Sequence, residues 1–177
     1  MVSKKIRVYV ALYFRNNITS NPQLVQQFGT AAYHWAILLE SKDGDTAHAF
    51  DVKEDDAYPA QGIPGGWAYH DSYDMRQSRS MLCKIMIGKL PPNIDAHGVG
   101  SMLNTDNIPL PLYDTDPIQN CVSWVREAIA MLQQNGCAEN FDINQFVNYA
   151  VEQGAKSYAA NPRLNAAVPL NYTNRPM

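Results

Sequence analysis

The sequence has few charged residues, no long apolar run and no cluster of positive charge. Charged residues make up 18% of its 177 residues, and the 14 lysines and arginines are outnumbered by 17 acidic residues. Without a basic patch the chain lacks the electrostatic footprint of a nucleic-acid-binding protein. No apolar run reaches the about 20 residues that cross a bilayer, and the N-terminal segment alternates and carries charge. The sequence therefore predicts no nucleic-acid partner, no membrane span and no signal peptide.

Cysteine is scarce and widely spaced. Cys83, Cys121 and Cys137 are an odd number of residues without a Cys-x-x-Cys pair. Such usage is typical of a reducing compartment, so we expect a cytoplasmic protein without disulfides. We expect no cofactor and no metal. A zinc site built from His34, His48 and Cys121 is an alternative, but we rank it below a catalytic role for these residues.

The length and the 46% apolar content predict a single domain over residues 1–177. Turn residues separate segments that are rich in β-branched and aromatic residues. These segments predict strands over residues 5–15, 31–40, 46–53 and 81–90. Residues 54–80 are otherwise loop-like, with a short edge strand predicted over 66–69. Helical patterns cover residues 22–28, 93–104 and 142–157 and a central helix that begins at Asn120. The tail from residue 161 has no clear period. The chain is thus predicted to have an α+β fold, and nothing in it indicates an oligomeric state.

Cys121 follows an asparagine that can cap the central helix, so it falls in the first helical turn. Val122, Val125, Ile129 and Leu132 recur behind it at helical spacing, which predicts a buried helix. A cysteine in an apolar helix is commonly an inert core residue. At a helix start, however, free backbone N–H groups and the helix dipole favour the thiolate, which is a nucleophile.

A thiolate nucleophile needs a base, and the base needs a polar group that orients it. His34 and His48 lie on strands that Asp43 and Gly44 are expected to join as a hairpin. A two-residue turn places His34 and Asp51 diagonally on one face and His48 on the other, whereas a loop of three or five residues brings His48 to the face of His34. The sequence leaves His48 and Asp51 open as the orienting group.

Four short motifs carry a resemblance to known proteins. They are Tyr-His-Trp-Ala at residues 33–36, a hairpin return at 48–51, Trp-x-Tyr at 67–69 and Asn-Cys-x-x-Trp-Val-x-x-Ala at 120–128. Together they resemble the circularly permuted papain-like superfamily, which includes the lecithin:retinol acyltransferase group and relatives of the NlpC-type peptidases. The chain is most similar to small uncharacterised fungal proteins that share these motifs over roughly residues 33–132.

The resemblance implies an antiparallel sheet packed on a central helix that carries the cysteine. It also implies a cysteine hydrolase or acyltransferase in which Cys121 is the nucleophile, His34 is the base, and His48 or Asp51 orients His34. The substrate would be a small-molecule or peptide acyl compound. The chain departs from the family in its polar tail, which lacks an apolar anchoring helix, and in Asp51, which stands where asparagine is common. The alternative is a papain-like binding module without catalysis.

Overall fold

The computed structural model describes residues 5–44, 46–54, 66–73, 78–112, 118–162 and 167–177. In these residues the fold is α+β, with six strands in one open sheet, four α-helices and a short 3-10 helix over Gly29–Ala32. The strands are β1 (Ile6–Phe14), β2 (Tyr33–Ser41), β3 (Ala47–Glu54), β4 (Trp67–Tyr73), β5 (Met81–Lys89) and β6 (Val168–Asn171). The helices are α1 (Pro22–Phe28), α2 (Ala96–Leu103), α3 (Cys121–Gln134) and α4 (Ile143–Ala160).

The sheet is mixed, with strand order β4-β3-β2-β1-β5-β6. Neighbouring strands are antiparallel except β5 and β6, which are parallel. The expectation of a purely antiparallel sheet is therefore wrong at this edge. β6 has no strand signal in the sequence, because it has only four residues and contains Pro169, a residue tolerated in edge strands.

The β2–β3 hairpin has the register expected for a two-residue turn. Ile37 is opposite Phe50 and Glu40 is opposite Ala47, which centres the hairpin between Asp43 and Gly44, and the Gly44 N–H donates to the Ser41 carbonyl at 2.9 Å within the turn. Gly44 has a φ of 75°, in the left-handed region that glycine enters without steric cost. The register fixes which side chains of both strands share a face of the sheet.

Alternate residues of the central strands pack into two separate clusters, one on each face. We name the side covered by α3 and α4 the helix face; it includes Leu12 and Trp35, Val125 of α3 and Val147 of α4. The opposite face is defined by a second buried cluster, which comprises Tyr9, Ala11, Tyr13, Ala36, Leu38, Ala47, Ala49, Met81 and Met86. Burial on both faces explains why β1 and β2 read as nearly continuous apolar runs.

The helix starts follow their capping residues. Asn21, Asp95, Asn120 and Asp142 accept hydrogen bonds from backbone N–H groups in the first turns of α1, α2, α3 and α4. The predicted helices over residues 22–28 and from Asn120 are confirmed. Within the described ranges, no helix combines the length and the apolar character that a bilayer crossing requires.

The stretch predicted as mostly loop contains a longer strand than expected. β4 runs from Trp67 to Tyr73 and pairs with β3 along its length, so His70 lies on a strand rather than in a loop. Residues 55–65 and 74–77 of that stretch lie outside the described residues.

Gly88 of β5 packs closely against the chain that follows α3. A Cβ at Gly88 would lie 2.2 Å from the carbonyl oxygen of Cys137 and 2.7 Å from Cα of Ala138. Both are backbone atoms that cannot rotate away, so we expect Gly88→Ala to lower the free energy of unfolding by about 3 kcal/mol or more. Denaturant unfolding measures this change.

Gly98→Ala is the matched control. Its Cβ would meet the nearest side-chain atom at 3.4 Å, an ordinary van der Waals distance, on a helix where alanine is favoured. The variant should be neutral or more stable by up to about 1 kcal/mol. Equal effects of the two substitutions would contradict this account of the packing at Gly88.

Candidate functional site

Cys121 is the first residue of α3, and the helix cap fixes its position. The side-chain oxygen of Asn120 accepts hydrogen bonds from the N–H groups of Val122, at 2.8 Å, and Ser123, at 3.3 Å. The Ser123 hydroxyl in turn accepts one from the Asn120 N–H at 2.8 Å, which completes a capping box.

The Cys121 thiol is buried against the start of β2. Cys121 is 3% exposed, and its Sγ atom lies 3.9 Å from the carbonyl oxygen of Tyr33. Burial raises the pKa of the thiol to about 11; the backbone of Trp35 and the charge of Arg15 lower it only in part, and the charge of Asp51 raises it further. The expectation that the helix start favours a thiolate is wrong for this resting state, because desolvation outweighs the helix start.

The sulfur meets β2 where that strand separates from β3. The ladder between the two strands runs from Ile37 and Phe50 to Glu40 and Ala47, so the first four residues of β2 lie beyond it. Over the same stretch β3 continues to pair with β4, as far as Glu54. Cys121 therefore contacts the main chain of β2 where the pairing of this strand with β3 has ended.

His34 makes a short hydrogen bond to Asp51. The Nε2 atom of the ring lies 2.6 Å from Oδ2 of the carboxylate, and Nζ of Lys53 lies 3.0 Å from the same oxygen. Burial by itself raises the pKa of Asp51, but the hydrogen bonds and charges of His34 and Lys53 outweigh it, so the pKa is lowered. The ionised carboxylate holds the proton of the neutral ring on Nε2, which leaves Nδ1 as the acceptor nitrogen.

The His34 ring lies on the opposite face of the sheet, beside Tyr13 at a centroid distance of 5.8 Å. The side chain of Cys121 packs with the helix face. Among the contacts of the described residues there is no hydrogen bond between the thiol and the imidazole. The sulfur therefore contacts the main chain on either side of His34, but it is not hydrogen-bonded to the His34 ring.

His48 belongs to a separate pair on the helix face. Its Nε2 atom is hydrogen-bonded to the carboxylate of Asp71, and its ring stacks on Phe50 at 4.5 Å. Of the two residues that the sequence leaves open, Asp51 is the one that contacts His34. This contact follows from the hairpin register. A loop with an odd number of residues would have placed His48 on the face of His34 and Asp51 on the other face.

Sequence reasoning missed two residues near the site. His70 lies directly opposite Asp51 in the β3–β4 ladder, and the alternation of β4 was a signal that could have placed it. Nη1 of Arg15 donates to the carbonyl oxygen of Ala31 at 2.6 Å, and its guanidinium lies 5.9 Å from the centre of the Phe28 ring. Arg15 could not have been found from sequence spacing, since its contacts come from an irregular connection.

A cavity of about 300 Å³ follows the flank of α3 and is lined by Ser123, Trp124, Glu127 and residues 107–109. Since Ser123 and Glu127 are on the side of the helix away from Cys121, the cavity is separate from the thiol. In the part of the chain that the structure describes, no group of three His, Cys, Asp or Glu side chains converges as metal ligands.

Comparisons with curated proteins and with solved structures find no match. A family model described as a family of unknown function (DUF6914) matches residues 5–166. That range contains all strands and helices from β1 to α4, and with them Cys121, His34 and Asp51. The chain therefore belongs to this family of unknown function.

Proposed function

We propose that this protein is a cysteine-dependent acyl-group enzyme, which hydrolyses an amide, ester or thioester or transfers its acyl group. Cys121 is the nucleophile, His34 is the general base, and Asp51 orients His34. The observation that carries the proposal is the 2.6 Å hydrogen bond from His34 to Asp51, next to the stretch of main chain that the Cys121 sulfur contacts. A permuted papain-like arrangement is part of the proposal, supported by a cysteine at the start of a helix packed on the sheet.

The reaction begins with transfer of the thiol proton from Cys121 to Nδ1 of His34. The sulfur attacks the carbonyl carbon of the acyl substrate, and the oxygen of the tetrahedral intermediate becomes negative. The N–H of Cys121, which the capping box leaves unused, donates to this oxygen; one such donor contributes about 2.7–4 kcal/mol of barrier lowering. The imidazolium then protonates the leaving group, and an acyl thioester remains on Cys121.

Release of the acyl group repeats the proton transfers in reverse order. Neutral His34 takes a proton from water, an alcohol or an amine, whose oxygen or nitrogen attacks the thioester carbon. Water yields an acid, and the other acceptors yield an ester or amide. The imidazolium returns its proton to the departing sulfur, so the enzyme is restored with no change in oxidation state.

Substrate binding has to bring sulfur and ring together, since the resting thiol is buried and neutral. Catalytic hydrogen bonds are often long or poorly aligned without substrate and tighten in the complex. A rotation of the Cys121 side chain past the end of the β2–β3 ladder shortens the path from the sulfur, which is buried on the helix face, to Nδ1. Arg15 favours the ionised form, because its charge lowers the pKa of the thiol.

Asp51 has two tasks in this mechanism. Before proton transfer it keeps the proton of the neutral ring on Nε2, so that Nδ1 can accept. After transfer its negative charge stabilises the imidazolium. Lys53, at 3.0 Å, keeps the buried carboxylate ionised. A carboxamide at this position would retain the size of the side chain but lose the charge.

The acyl-enzyme is the first testable consequence. Incubation with p-nitrophenyl acetate should add one acetyl group to the protein, detected by intact mass spectrometry and removed by neutral hydroxylamine, which cleaves thioesters. Cys121→Ser should abolish this adduct. His34→Ala should slow its formation by at least about 100-fold, the contribution of a general base, and Asp51→Asn should have a smaller effect in the same direction.

Cys83→Ser and Cys137→Ser are the matched controls, because both residues are buried cysteines with raised pKa values that lie outside the proposed site. Both variants should form the adduct at the normal rate. An adduct that persists in Cys121→Ser, or that forms equally fast in His34→Ala, would rule out the proposed roles.

A second candidate function is a papain-like binding module that recognises a peptide or small molecule without turnover. The thiol favours this reading, because it is 3% exposed and its pKa is raised to about 11. A binding screen with labelled acyl compounds and peptides distinguishes the two functions. A module would bind its ligand equally well in Cys121→Ser and would leave the ligand chemically unchanged.

The Asp51 contact also predicts a pH dependence of stability. A carboxyl group whose pKa is lowered in the folded state stabilises the fold above its unfolded pKa, near 3.8, and loses this contribution as the pH falls through the folded value. We therefore expect Asp51→Asn to reduce the free energy of unfolding near neutral pH, and the difference from the unmodified protein to shrink in acid. Urea unfolding at a series of pH values measures it. A difference that stays constant with pH would show that the carboxylate charge has no stabilising role.

A further inference from the structure

Positive charge is concentrated at the end of the sheet opposite to Cys121. Lys5 precedes β1, Lys42 follows β2, Lys89 ends β5, and Arg7 lies across the β1–β5 ladder from Lys89. Arg175, from the C-terminal segment, completes this basic cluster. The cluster lies at one end of β2 and the proposed site at the other. At about 3.3 Å per residue, the length of this strand puts roughly 26 Å between them. The cluster is thus independent of the proposed acyl chemistry.

The cations of the cluster are close enough to influence one another. Partial burial lowers the pKa of Lys89, and the charges of Arg7, Lys5, Lys42 and Arg175 lower it further. Like charges gathered from separate chain segments repel one another and contribute nothing to folding by themselves. The chain has a formal net charge of −3, so the cluster is a region of positive charge in a protein that is negative overall.

Nearby carboxylates compensate only part of this charge. Glu139 pairs with Arg175 at 3.2 Å, and Glu40, across from Arg7 in the sheet, is hydrogen-bonded to Lys84. Asp43 lies beside Lys42 in the hairpin turn.

Asp95, which lines a second cavity beside the cluster, caps α2 by accepting a 2.8 Å hydrogen bond from the Gly98 N–H. Among the described ion pairs, neither Lys5 nor Lys89 has a carboxylate partner.

A cavity of about 500 Å³ opens beside the cluster. Lys5, Lys89 and Arg175 line it from three segments of the chain, and Nζ of Lys89 is held at 2.6 Å from the carbonyl oxygen of Pro176. Apart from the carboxylate of Asp95, which caps α2, the rest of the wall is apolar and is formed by Ile6, Leu90, Pro91, Pro92, Ile94 and Pro176. The cavity therefore combines a cationic rim with an apolar wall, which suits a ligand with a negatively charged head and an apolar body.

We propose that this cavity binds an organic phosphate, with its phosphate group against Lys5, Lys89 and Arg175 and its apolar part against Leu90 and Ile94. Two ammonium groups and a guanidinium match a dianionic phosphate better than a single carboxylate charge, because three donors can contact its three terminal oxygens. The volume exceeds that of inorganic phosphate, which leaves room for the body of the ligand.

Titration of the ¹⁵N-labelled full chain with phenyl phosphate tests the proposal by NMR. Saturable shifts are expected for the amides of residues 89 and 94–95, with weaker binding of inorganic phosphate and none of phenol. The double variant Lys89→Gln, Arg175→Gln should bind at least about tenfold more weakly. Lys156→Gln is the control, because Lys156 is an exposed cation on α4 that is paired with Glu152. Unchanged thermal melting shows that the variants remain folded.

Three results would overturn the proposal. They are an absence of saturable shifts, equal affinity in the double variant, and equal shifts with sodium chloride at the same ionic strength, which would indicate only charge screening. Equal affinity for inorganic and phenyl phosphate would refute the part assigned to the apolar wall.

The phosphate can belong to a soluble metabolite or to a lipid headgroup, and sedimentation with vesicles separates the two. Phosphatidylcholine vesicles with and without phosphatidic acid present the same phosphate monoester on a lipid surface. Sedimentation that requires phosphatidic acid and is lost in the double variant would identify a lipid source. Binding of phenyl phosphate without sedimentation would identify a soluble source. Failure in both arms would contradict the proposal, and neither arm depends on Cys121.

Discussion

The register of the β2–β3 hairpin is the constraint on which the candidate site depends. Side chains alternate across a strand, so a shift by one residue would exchange every side chain of β3 between the two faces. With the turn centred on Asp43 and Gly44, Asp51 reaches the ring of His34 while His48 reaches Asp71. One tight turn thereby assigns each histidine of the hairpin a different carboxylate on a different face.

The state of the Cys121 thiol follows from a competition between two effects of known sign. The start of a helix favours the thiolate, and burial in an apolar core favours the thiol. Burial prevails, and the pKa rises to about 11, because the side chain packs between α3 and β2 with little access to water. In the proposed mechanism the resting enzyme is therefore protected from oxidation and alkylation, and the thiolate arises only when His34 accepts its proton.

Much of the fold was predictable because its signals are local. Apolar strands, an Asp-Gly turn and capping asparagines act within a few residues, and the structure has β1, the hairpin and the start of α3 where these signals place them. β6 could not be predicted, since a four-residue strand with a proline forms only where β5 offers an edge.

The sequence indicates candidate residues for a site but not their contacts. Cys121, His34, His48 and Asp51 were all named as candidates, yet which of His48 and Asp51 contacts His34 depended on a single residue of register. The burial that raises the thiol pKa is a property of tertiary packing, which composition and spacing do not express. The same holds for Arg15, whose guanidinium is held by a carbonyl group 16 residues further along the chain.

The separation of β2 from β3 is what makes the proposed chemistry geometrically possible. In an unbroken ladder, the main chain of β2 beside His34 would be hydrogen-bonded to β3, and a sulfur on the helix face would be isolated from a ring on the opposite face. Because the ladder ends at Ile37 and Phe50, the Cys121 sulfur, which packs on the helix face, contacts the main chain of β2 where that chain is no longer paired with β3. The same divergence lets Asp51 reach diagonally to His34. In the proposed mechanism, the thiol and the imidazole meet past the end of this ladder.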